Sequence, residues 1–283
     1  MGWNEIEDEP YLSASQLSMY TRCAKQYEFR YIKGIKRPPS LSMILGTGVH
    51  KSAEVNYAHK LKTKKAVKLS VAMDAYDTTF AEKKGEAERV SRVVEGQEKD
   101  RGYKMAEAHY REIAPGLQPV EKPELEFTVA IPGLRRKLYG FIDLIASPIV
   151  SVGNLIKKVS PKRYVRDTKT SGRKFDRMSV EISSQLTAYA YAHKILFGKL
   201  PDGVGLDITI AKKGSEQVDV QTETTTRTPD ELARFASTAA QIEKGIQAGV
   251  FPPVDDAKVC GWCGYKDLCM PNASRRAASL SWG

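Results

Sequence analysis

The spacing of apolar residues along the chain predicts that its first part is mostly helical. Apolar and aromatic residues recur at helical spacing within residues 11–32 and again from about Gly46 onward. Residues 51–113 are rich in Lys, Glu and Ala and are typical of several helices. Two later stretches, residues 179–198 and 228–250, also have strong helical periodicity and bounded ends.

Between and after these helices, the pattern changes to the two-residue alternation of strands. The stretch "ELEFTVAI" alternates apolar and polar residues, and "RKLYGFIDLIA" follows it after a Pro-Gly turn. The predicted strand segments are residues 124–131, 136–146, 163–170, 203–214 and 216–226. Helices followed by a small, mostly antiparallel sheet that is interrupted by a helix predict an α/β or α+β architecture.

Composition is that of an ordinary globular protein, since 41% of the 283 residues are hydrophobic and 28% are charged. No apolar run approaches the length of a membrane span, and the first residues, "MGWNEIEDEP", do not resemble a secretory signal. We therefore predict a cytoplasmic protein, in the host cytoplasm if it is encoded by a virus, with no membrane partner. Thiols stay reduced in that compartment, so the clustered cysteines indicate metal binding or redox chemistry rather than disulfides.

The formal net charge of +10 favours a polyanionic partner, and nucleic acid is the first candidate. A well-solvated basic surface with no such partner would give the same charge. Charge alone leaves both interpretations open.

Two predicted strands carry aspartates near their ends. Asp143 lies in "GFIDLI" and Asp167 in "VRDTKT", where Lys169 follows on the same face of the strand. A divalent cation can satisfy two partly buried carboxylates at once, and a nearby lysine can stabilise negative charge on a phosphate. The alternative is that both aspartates cap turns and pair with Lys169, and the spacing alone does not separate the two.

Two weaker features accompany these aspartates. His50 follows the glycine-rich "LGTGVH", and Gln185 and Tyr189 lie four residues apart on one face of the helix after the Asp-x-Lys strand. Each feature would be unremarkable if it stood alone.

The order of short motifs resembles the RecB-like branch of the PD-(D/E)XK nuclease superfamily. That branch includes CRISPR-associated RecB-like exonucleases and the nuclease domains of bacterial recombination helicase-nucleases. The motifs, in order, are "SASQLSMYTRCAKQYEFRY", "LGTGVH", "LYGFID", "RDTKT", "QLTAYAYA", and "GVFPP" with the cysteine segment after it. Each is short, but six in this order make a specific signal.

The resemblance implies a restriction-endonuclease-like core, in which helices flank a small mixed sheet. It implies a single nuclease domain over residues 1–283, with a helical region at about 46–115 and the nuclease core at about 120–225. The C-terminal helix and cysteine segment, residues 228–270, would be joined to Cys23.

The resemblance also implies roles for the motif residues. His50, Asp143 and Asp167 would bind the catalytic Mg²⁺ or Mn²⁺, and the carbonyl of Thr168 would complete the metal shell. Lys169 would be the catalytic lysine.

Beside that site, Gln185 and Tyr189 match a Gln-x-x-x-Tyr motif that contacts DNA in the family. Glu124 and Glu126 lie on a predicted strand next to the site. We interpret both as part of a solvated strand face rather than as extra metal ligands.

The four cysteines match the iron–sulfur members of this branch, in which one N-terminal and three C-terminal cysteines bind a 4Fe–4S cluster. They are Cys23, Cys260, Cys263 and Cys269, and no cysteine is left over. A four-cysteine zinc site is the structural alternative, although Cys23 has no nearby partner cysteine. We expect the aromatic residues Tyr27, Phe29 and Tyr31 to pack around the cluster rather than to stack on bases.

The predicted function is metal-dependent hydrolysis of DNA. The substrate would be single-stranded DNA or DNA ends, attacked by an exonuclease in recombination, repair or processing, with protein partners from such a pathway or a CRISPR-type one. Two alternatives remain: a catalytically silent DNA-binding or assembly subunit, and a zinc-stabilised accessory protein.

Overall fold

The computed structural model describes residues 5–6, 9–152 and 156–270, and these pack as two compact units. The first unit consists of Met1–Arg37, Val129–Tyr139 and Arg234–Gly283, and the second of Pro38–Thr128 and Gly140–Ala233. The single nuclease domain expected over residues 1–283 stays a prediction.

Ten α-helices occur in the described ranges. They are α1 (Ala14–Arg22), α2 (Ala24–Tyr27), α3 (Leu41–Thr63), α4 (Leu69–Lys83), α5 (Arg92–Ala108), α6 (Arg177–Glu181), α7 (Ser184–Phe197), α8 (Pro229–Gln247), α9 (Ala257–Gly261) and α10 (Lys266–Cys269). Two π-helical turns, Glu28–Ile32 and His109–Ile113, extend α2 and α5.

Ten strands occur in the same part of the chain. They are β1 (Glu5–Ile6), β2 (Glu9–Leu12), β3 (Leu117–Pro119), β4 (Leu125–Val129), β5 (Lys137–Ile142), β6 (Leu144–Val152), β7 (Ile156–Val159), β8 (Tyr164–Ser171), β9 (Gly203–Ile210) and β10 (Asp219–Thr225).

The second unit is built on a mixed sheet. Its strand order is β10-β9-β8-β6-β3, and β7 pairs with β6. Strands β8 and β9 are parallel, whereas the pairs β6–β8, β3–β6 and β9–β10 are antiparallel. Helices α3, α5 and α7 contact the central strands. The predicted mixed sheet flanked by helices is therefore confirmed.

A buried ion pair anchors β8 to β9 in this sheet. The Arg166 guanidinium donates to both carboxylate oxygens of Asp207, and both side chains are almost completely buried. Gly205 makes room for this arginine, because a Cβ atom at residue 205 would lie 2.2 Å from an Arg166 nitrogen. Arg166 also donates to the backbone oxygen of Leu206 (2.9 Å) and to the hydroxyl of Thr224 (2.7 Å). The pair is therefore fully hydrogen-bonded, and removing one partner would leave a buried unpaired charge.

Helices α3, α4 and α5 share an apolar core in the second unit. Tyr76 of α4 is fully buried there, and its hydroxyl donates to the backbone oxygen of Lys99 over 2.8 Å. The buried members of this core are Leu41, Ile44, Leu45, Val49, Ala72, Met73, Tyr76, Phe80, Met105, Ala106 and Ala211. The core fixes α3, the helix that carries His50.

The first unit joins three separate stretches of chain. Strand β2 pairs with β5 in parallel, with Tyr11 opposite Lys137 and Leu12 opposite Leu138. Glu243 of α8 accepts hydrogen bonds from the backbone N–H of Arg136 over 3.1 Å and from its side-chain Nε over 2.9 Å. This ion pair is buried, so it ties the middle stretch to the C-terminal helix.

The structure corrects three predicted boundaries. The helical pattern in residues 11–32 is interrupted at Cys23, whose extended backbone separates α1 from α2. The strand expected over residues 136–146 breaks at Asp143 into β5 and β6. Helix α3 begins five residues before Gly46, because the Ser40 side chain accepts a hydrogen bond from Met43 N and caps it.

The buried His109 predicts a loss of stability in acid. Its side chain is 1% exposed, and burial lowers its pKa to about 4. The unfolded chain takes up this proton near its ordinary pKa of about 6.5. Stability is therefore complete above about pH 6.5 and falls by up to about 3 kcal/mol as the pH approaches 4.

The variant His109→Gln, which cannot be protonated, tests this prediction. Urea unfolding of both proteins in metal-free buffer, from about pH 7 to about pH 4.5, gives the free energy of unfolding. The wild-type protein should lose more stability than the variant over this interval. Parallel curves for the two proteins would contradict the assignment to His109.

Candidate functional site

Asp143 lies at the bend between β5 and β6, where its side chain contacts the backbone of β8. The backbone N–H of Thr168 on β8 donates to Asp143 Oδ2 over 2.8 Å. The Asp143 side chain is 12% exposed. The break in the predicted strand therefore turns this carboxylate towards the centre of β8.

His50 reaches the same carboxylate from α3. Its Nδ1 atom lies 3.2 Å from Asp143 Oδ2. One turn earlier on α3, a Cβ atom at Gly46 would lie only 3.2 Å from Thr170 Oγ1, so the glycine allows the helix to approach β8 closely. A glycine in the "LGTGVH" stretch therefore has a packing role, because it lets α3 lie close to β8.

Glu124 completes this group, and its place corrects the sequence interpretation. It precedes β4 rather than lying on it, and its backbone N–H donates to the backbone oxygen of Asp143 over 3.0 Å. Its carboxylate lies 4.0 Å from His50 Nδ1. Glu126 lies on an exposed position of β4, as expected for a strand face. Glu124 is therefore close enough to His50 and Asp143 to be a candidate ligand, and Glu126 is not in that group.

The backbone of Glu124 has an uncommon conformation. Its φ angle is 51°, in the left-handed region that costs a non-glycine residue about 1–2 kcal/mol. Such conformations are concentrated at functional sites, where the surrounding structure holds them.

Three ligand atoms from this group lie within 4.8 Å of one another: one each from His50, Glu124 and Asp143. We call these residues the metal-ligand group. Two carboxylates and an imidazole suit a hard divalent cation, and the imidazole is more typical of Mn²⁺ than of Mg²⁺.

Asp167 and Lys169 lie beside the metal-ligand group on β8. Asp167 is fully buried, and its Oδ2 atom lies 2.7 Å from Lys169 Nζ. That oxygen forms an ion pair without a hydrogen bond of acceptable geometry. Among the described residues, the group with mutual spacing under 4.8 Å does not include Asp167. The role of Asp167 as a metal ligand, expected from the sequence, stays a prediction.

Gln185 and Tyr189 on α7 face Asp167. The amide of Gln185 donates to Asp167 Oδ1 over 3.1 Å and to the Tyr189 hydroxyl over 2.8 Å. Tyr189 is 6% exposed, and its ring packs against Phe127. Their polar groups thus contact each other and Asp167, and the predicted contact with DNA stays a prediction.

Crowded carboxylates dominate the electrostatics of the site. Burial, and then the charge of Asp167, raises the pKa of Asp143 to about 7 although His50 opposes the shift. For His50, burial lowers the pKa, but the interactions with Glu124 and Asp143 outweigh it and the net shift is upward. A cation would relieve the repulsion among the carboxylates.

An open groove of about 860 Å³ runs alongside the metal-ligand group. Residues of α3, α4 and β8 line it together with Glu124. Its charged lining residues are His50, Lys51, Glu54, Glu82, Lys83, Glu124 and Lys169. The groove therefore gives a ligand in solvent direct access to His50, Glu124 and Lys169.

The four cysteines meet in the first unit. Cys23 lies between α1 and α2, Cys260 and Cys263 lie at the end of α9, and Cys269 ends α10. All four are free thiols and line one cavity. Burial, and then the charges of the other three cysteines, raises the pKa of the Cys269 thiol. Like-charged thiolates repel one another, so deprotonating them together requires a cation.

Of the aromatic residues expected around a cluster, Phe29 lies at the cysteine cavity, and the packing of Tyr27 and Tyr31 around a cluster stays a prediction. Tyr27 is 1% exposed and Phe29 is 7% exposed. Phe29 lines the cysteine cavity and stacks on Tyr265, with the ring centroids 5.6 Å apart. The amide of Gln26 donates to Cys263 Sγ over 3.0 Å.

Comparison with known proteins places the chain in a family. Residues 11–270 match the PD-(D/E)XK nuclease superfamily. The Gene 69 protein of Mycobacterium phage L5 is 25% identical over 300 residues, which cover 92% of this chain and 96% of that protein. The Gene 69 protein of Mycobacterium phage D29 is 24% identical over 278 residues, with the same coverage of 92% and 96%.

One solved structure with a similar chain is the crystal structure of a predicted exonuclease from Eubacterium rectale. The two chains are 14% identical, the alignment covers 90% of this chain and 86% of the other, and the TM-score is 0.48.

This chain belongs to the PD-(D/E)XK nuclease superfamily, because the match spans almost all of its described residues. Membership supports a nuclease with a nucleic-acid substrate, and nucleases of this superfamily generally use divalent metals. The metal-ligand group is consistent with that requirement. No helix in the described ranges combines the length and the apolar character that crossing a membrane requires.

The corrected place of Glu124 gives a prediction about metal affinity. The variant Glu124→Gln removes one carboxylate from the metal-ligand group and should weaken Mn²⁺ binding by at least about tenfold. Isothermal titration calorimetry on metal-free protein measures the affinity. Glu126→Gln, two residues away on an exposed position of β4, removes the same charge and should leave the affinity nearly unchanged. Equal losses in the two variants would contradict a direct role for Glu124.

Proposed function

We propose that this chain is a divalent-metal-dependent deoxyribonuclease of the RecB-like branch, with exonuclease activity on single-stranded DNA or DNA ends. The observation that carries this proposal is that Asp167 and Lys169 lie beside the metal-ligand group and that His50, Glu124 and Lys169 line one open groove, in a chain of a nuclease superfamily. The basic net charge of +10 supports a polyanionic substrate.

The residues at the site suit a divalent cation. Two features support the fit: the crowding that raises the pKa of Asp143, and the set of two carboxylates and an imidazole with ligand atoms within 4.8 Å of one another. We assign His50, Glu124 and Asp143 as the residues that would hold Mg²⁺ or Mn²⁺. Asp167 and the carbonyl of Thr168 are further ligands on the resemblance to the family. When bound, such a cation neutralises charge on the phosphodiester and favours attack by water on phosphorus.

Lys169 has an electrostatic role in this proposal. Its ammonium group lies 2.7 Å from Asp167 Oδ2 and lines the open groove. In that position it can stabilise the negative charge that develops on a phosphate in the transition state. Gln185 supports this arrangement by donating to the other oxygen of Asp167, which fixes the carboxylate.

The site gives a direct prediction about cleavage. Asp143→Asn and Lys169→Met should each lower the cleavage rate by at least about a hundredfold, because they remove a ligand and a transition-state charge. End-labelled single-stranded and double-stranded DNA, digested with Mn²⁺, with Mg²⁺ and without metal, provides the measurement. Two variants that remove the same charges at exposed positions, Glu126→Gln on β4 and Lys194→Met on α7, should cleave at the wild-type rate.

Melting temperature and DNA affinity, measured on the same preparations, distinguish a loss of chemistry from a loss of folding. Wild-type protein that binds DNA and cleaves none with either metal would favour the alternative of a silent DNA-binding subunit. Substantial cleavage by Lys169→Met would remove this lysine from the catalytic site.

We further propose that Cys23, Cys260, Cys263 and Cys269 hold a 4Fe–4S cluster. Four free thiols around one cavity provide the donors that such a cluster requires. The sequence supports iron–sulfur over zinc, because zinc sites more often pair two Cys-x-x-Cys knuckles and Cys23 has no partner cysteine near it in the sequence.

The cluster proposal predicts the metal content of the protein. Protein purified without oxygen should be brown and contain about four iron atoms per chain. Cys260→Ala should lose most of that iron, and it should melt at a lower temperature because the link to a cysteine 237 residues earlier is lost. Stoichiometric zinc without iron in anaerobic preparations would contradict the proposal and favour the zinc alternative.

The proposed location is the cytoplasm of a host cell. The two Gene 69 proteins come from mycobacteriophages, which supports a virus-encoded nuclease that acts on DNA in the infected cell.

A further inference from the structure

A second cavity in the second unit lies apart from the metal-ligand group. It has a volume of about 510 Å³, within the usual range for small-molecule sites. It lies along α3, where Asn56 and Lys60 follow His50 by six and ten residues. At the helical rise, these residues are about 9 Å and about 15 Å from His50 along the helix axis. The residues that line it are Asn56, Lys60, Lys64, Ala66, Tyr110, Arg111, Ala114, Pro115 and Ile149.

The charged groups of this cavity are all cationic. Lys60, Lys64 and Arg111 line it, and no carboxylate is among its described lining residues. The groove at the metal-ligand group differs, because three glutamates line it beside its lysines. An anion in the second cavity would therefore meet attraction from three side chains and no facing carboxylate.

Lys60 is the most informative of these groups. The residue is 6% exposed, and its ammonium group donates to the backbone oxygen of Ala114 over 2.9 Å. An ammonium group has three N–H donors, and this contact uses one of them. Burial also lowers the pKa of Lys60, as expected where no carboxylate compensates for lost hydration. A buried cation that lines a cavity and has unused donors favours an anionic ligand there.

The other two cations are at the cavity surface and can reach a ligand. Lys64 ends α3 in a left-handed conformation, with φ of 62°, and its Nζ donates to the Leu61 carbonyl over 3.1 Å. Arg111 pairs through Nε with Glu107, which leaves the two terminal nitrogens of its guanidinium for another acceptor. A guanidinium and ammonium groups are the usual partners of phosphate oxygens.

The rest of the lining suits the other parts of a nucleotide. Tyr110 is held in place by its hydroxyl, which donates to the backbone oxygen of Val67. Its ring, with Pro115 and Ile149, gives the cavity an apolar and aromatic surface on which a base can pack. Asn56 Oδ1 accepts from Val67 N over 3.2 Å, so its side-chain N–H₂ remains the donor for a ligand.

We propose that this cavity binds the phosphate of a nucleotide, either free or at the end of a DNA strand, through Lys60, Lys64 and Arg111. The phosphate of the ligand supplies the negative charge that no described lining residue supplies beside Lys60, and the base of the ligand packs against Tyr110. Binding here does not require catalysis at the metal-ligand group. A failure of this proposal and a failure of the proposed nuclease activity are therefore distinguishable.

Calorimetric titration of metal-free protein with thymidine 5′-monophosphate tests the proposal. The nucleotide should bind, inorganic phosphate should bind more weakly, and thymidine, which lacks the phosphate, should not bind detectably. Lys64→Gln and Arg111→Gln should each weaken nucleotide binding by about tenfold, the effect of losing one charge-assisted hydrogen bond. Lys62→Gln is the matched control, because Lys62 is an exposed lysine of α3 outside the cavity.

Oligonucleotides that carry either a 5′-phosphate or a 5′-hydroxyl identify the source of the ligand. A preference for the phosphorylated strand that is lost in Lys64→Gln assigns the cavity to strand ends. Binding of the mononucleotide without such a preference assigns it to free nucleotides. Both outcomes support the phosphate site.

The variant Lys60→Met separates binding from packing. Lys60 could serve only to cap the carbonyl of Ala114, in which case the variant loses melting temperature and keeps its nucleotide affinity per folded molecule. That result would overturn the proposal. So would equal effects of Lys62→Gln and Lys64→Gln, or undetectable binding of both the mononucleotide and the phosphorylated strand.

Discussion

The second unit depends on the way β8 is held on both of its faces. On one face, Arg166 forms the buried ion pair with Asp207 that anchors β8 to β9. On the other face, Asp167 and Lys169 project into the candidate site, because neighbouring residues of a strand point in opposite directions. Between them, the backbone N–H of Thr168 donates to Asp143. A shift of β8 by one residue would exchange its faces and remove every one of these contacts.

The sequence predicted the parts of the site that depend on local pattern, and it failed where tertiary contacts decide. The Asp-x-Lys strand follows from periodicity, and so does the helix of Gln185, although the helix expected over residues 179–198 is divided before Ser184 into α6 and α7. The position of Glu124 before β4 was missed because its left-handed backbone removes it from the alternation of that strand, and no local signal marks that conformation. The bend at Asp143 was missed because apolar residues continue on both sides of it. The start of α3 was missed because "LSMILG" lacks the polar positions of an ordinary helix face.

The candidate site combines groups that destabilise one another when no cation is bound. Glu124, Asp143 and Asp167 bring three carboxylates close together, and burial with the charge of Asp167 raises the pKa of Asp143. The protein compensates with His50, Lys169 and the amide of Gln185, each of which contacts one of these carboxylates or lies close to it. This compensation is incomplete, since the pKa of Asp143 is still raised to about 7. A bound cation therefore stabilises the protein, because it adds positive charge that His50, Lys169 and Gln185 do not fully provide.

In the first unit, the groups that lie close together are four cysteines that line one cavity. Its three stretches of chain are far apart in sequence, and polar contacts link them, among them the Arg136–Glu243 pair and the hydrogen bond from Gln26 to Cys263. Segments α9 and α10 are too short to form a stable helical layer by themselves. They are held by contacts with the N-terminal stretch, among them the ion pair of Arg37 with Asp267 and the hydrogen bond from the Tyr265 hydroxyl to the Ile35 carbonyl. A bound cofactor that bridges Cys23 to the three C-terminal cysteines would add folding energy to the unit, so the cluster that we propose would have a structural role.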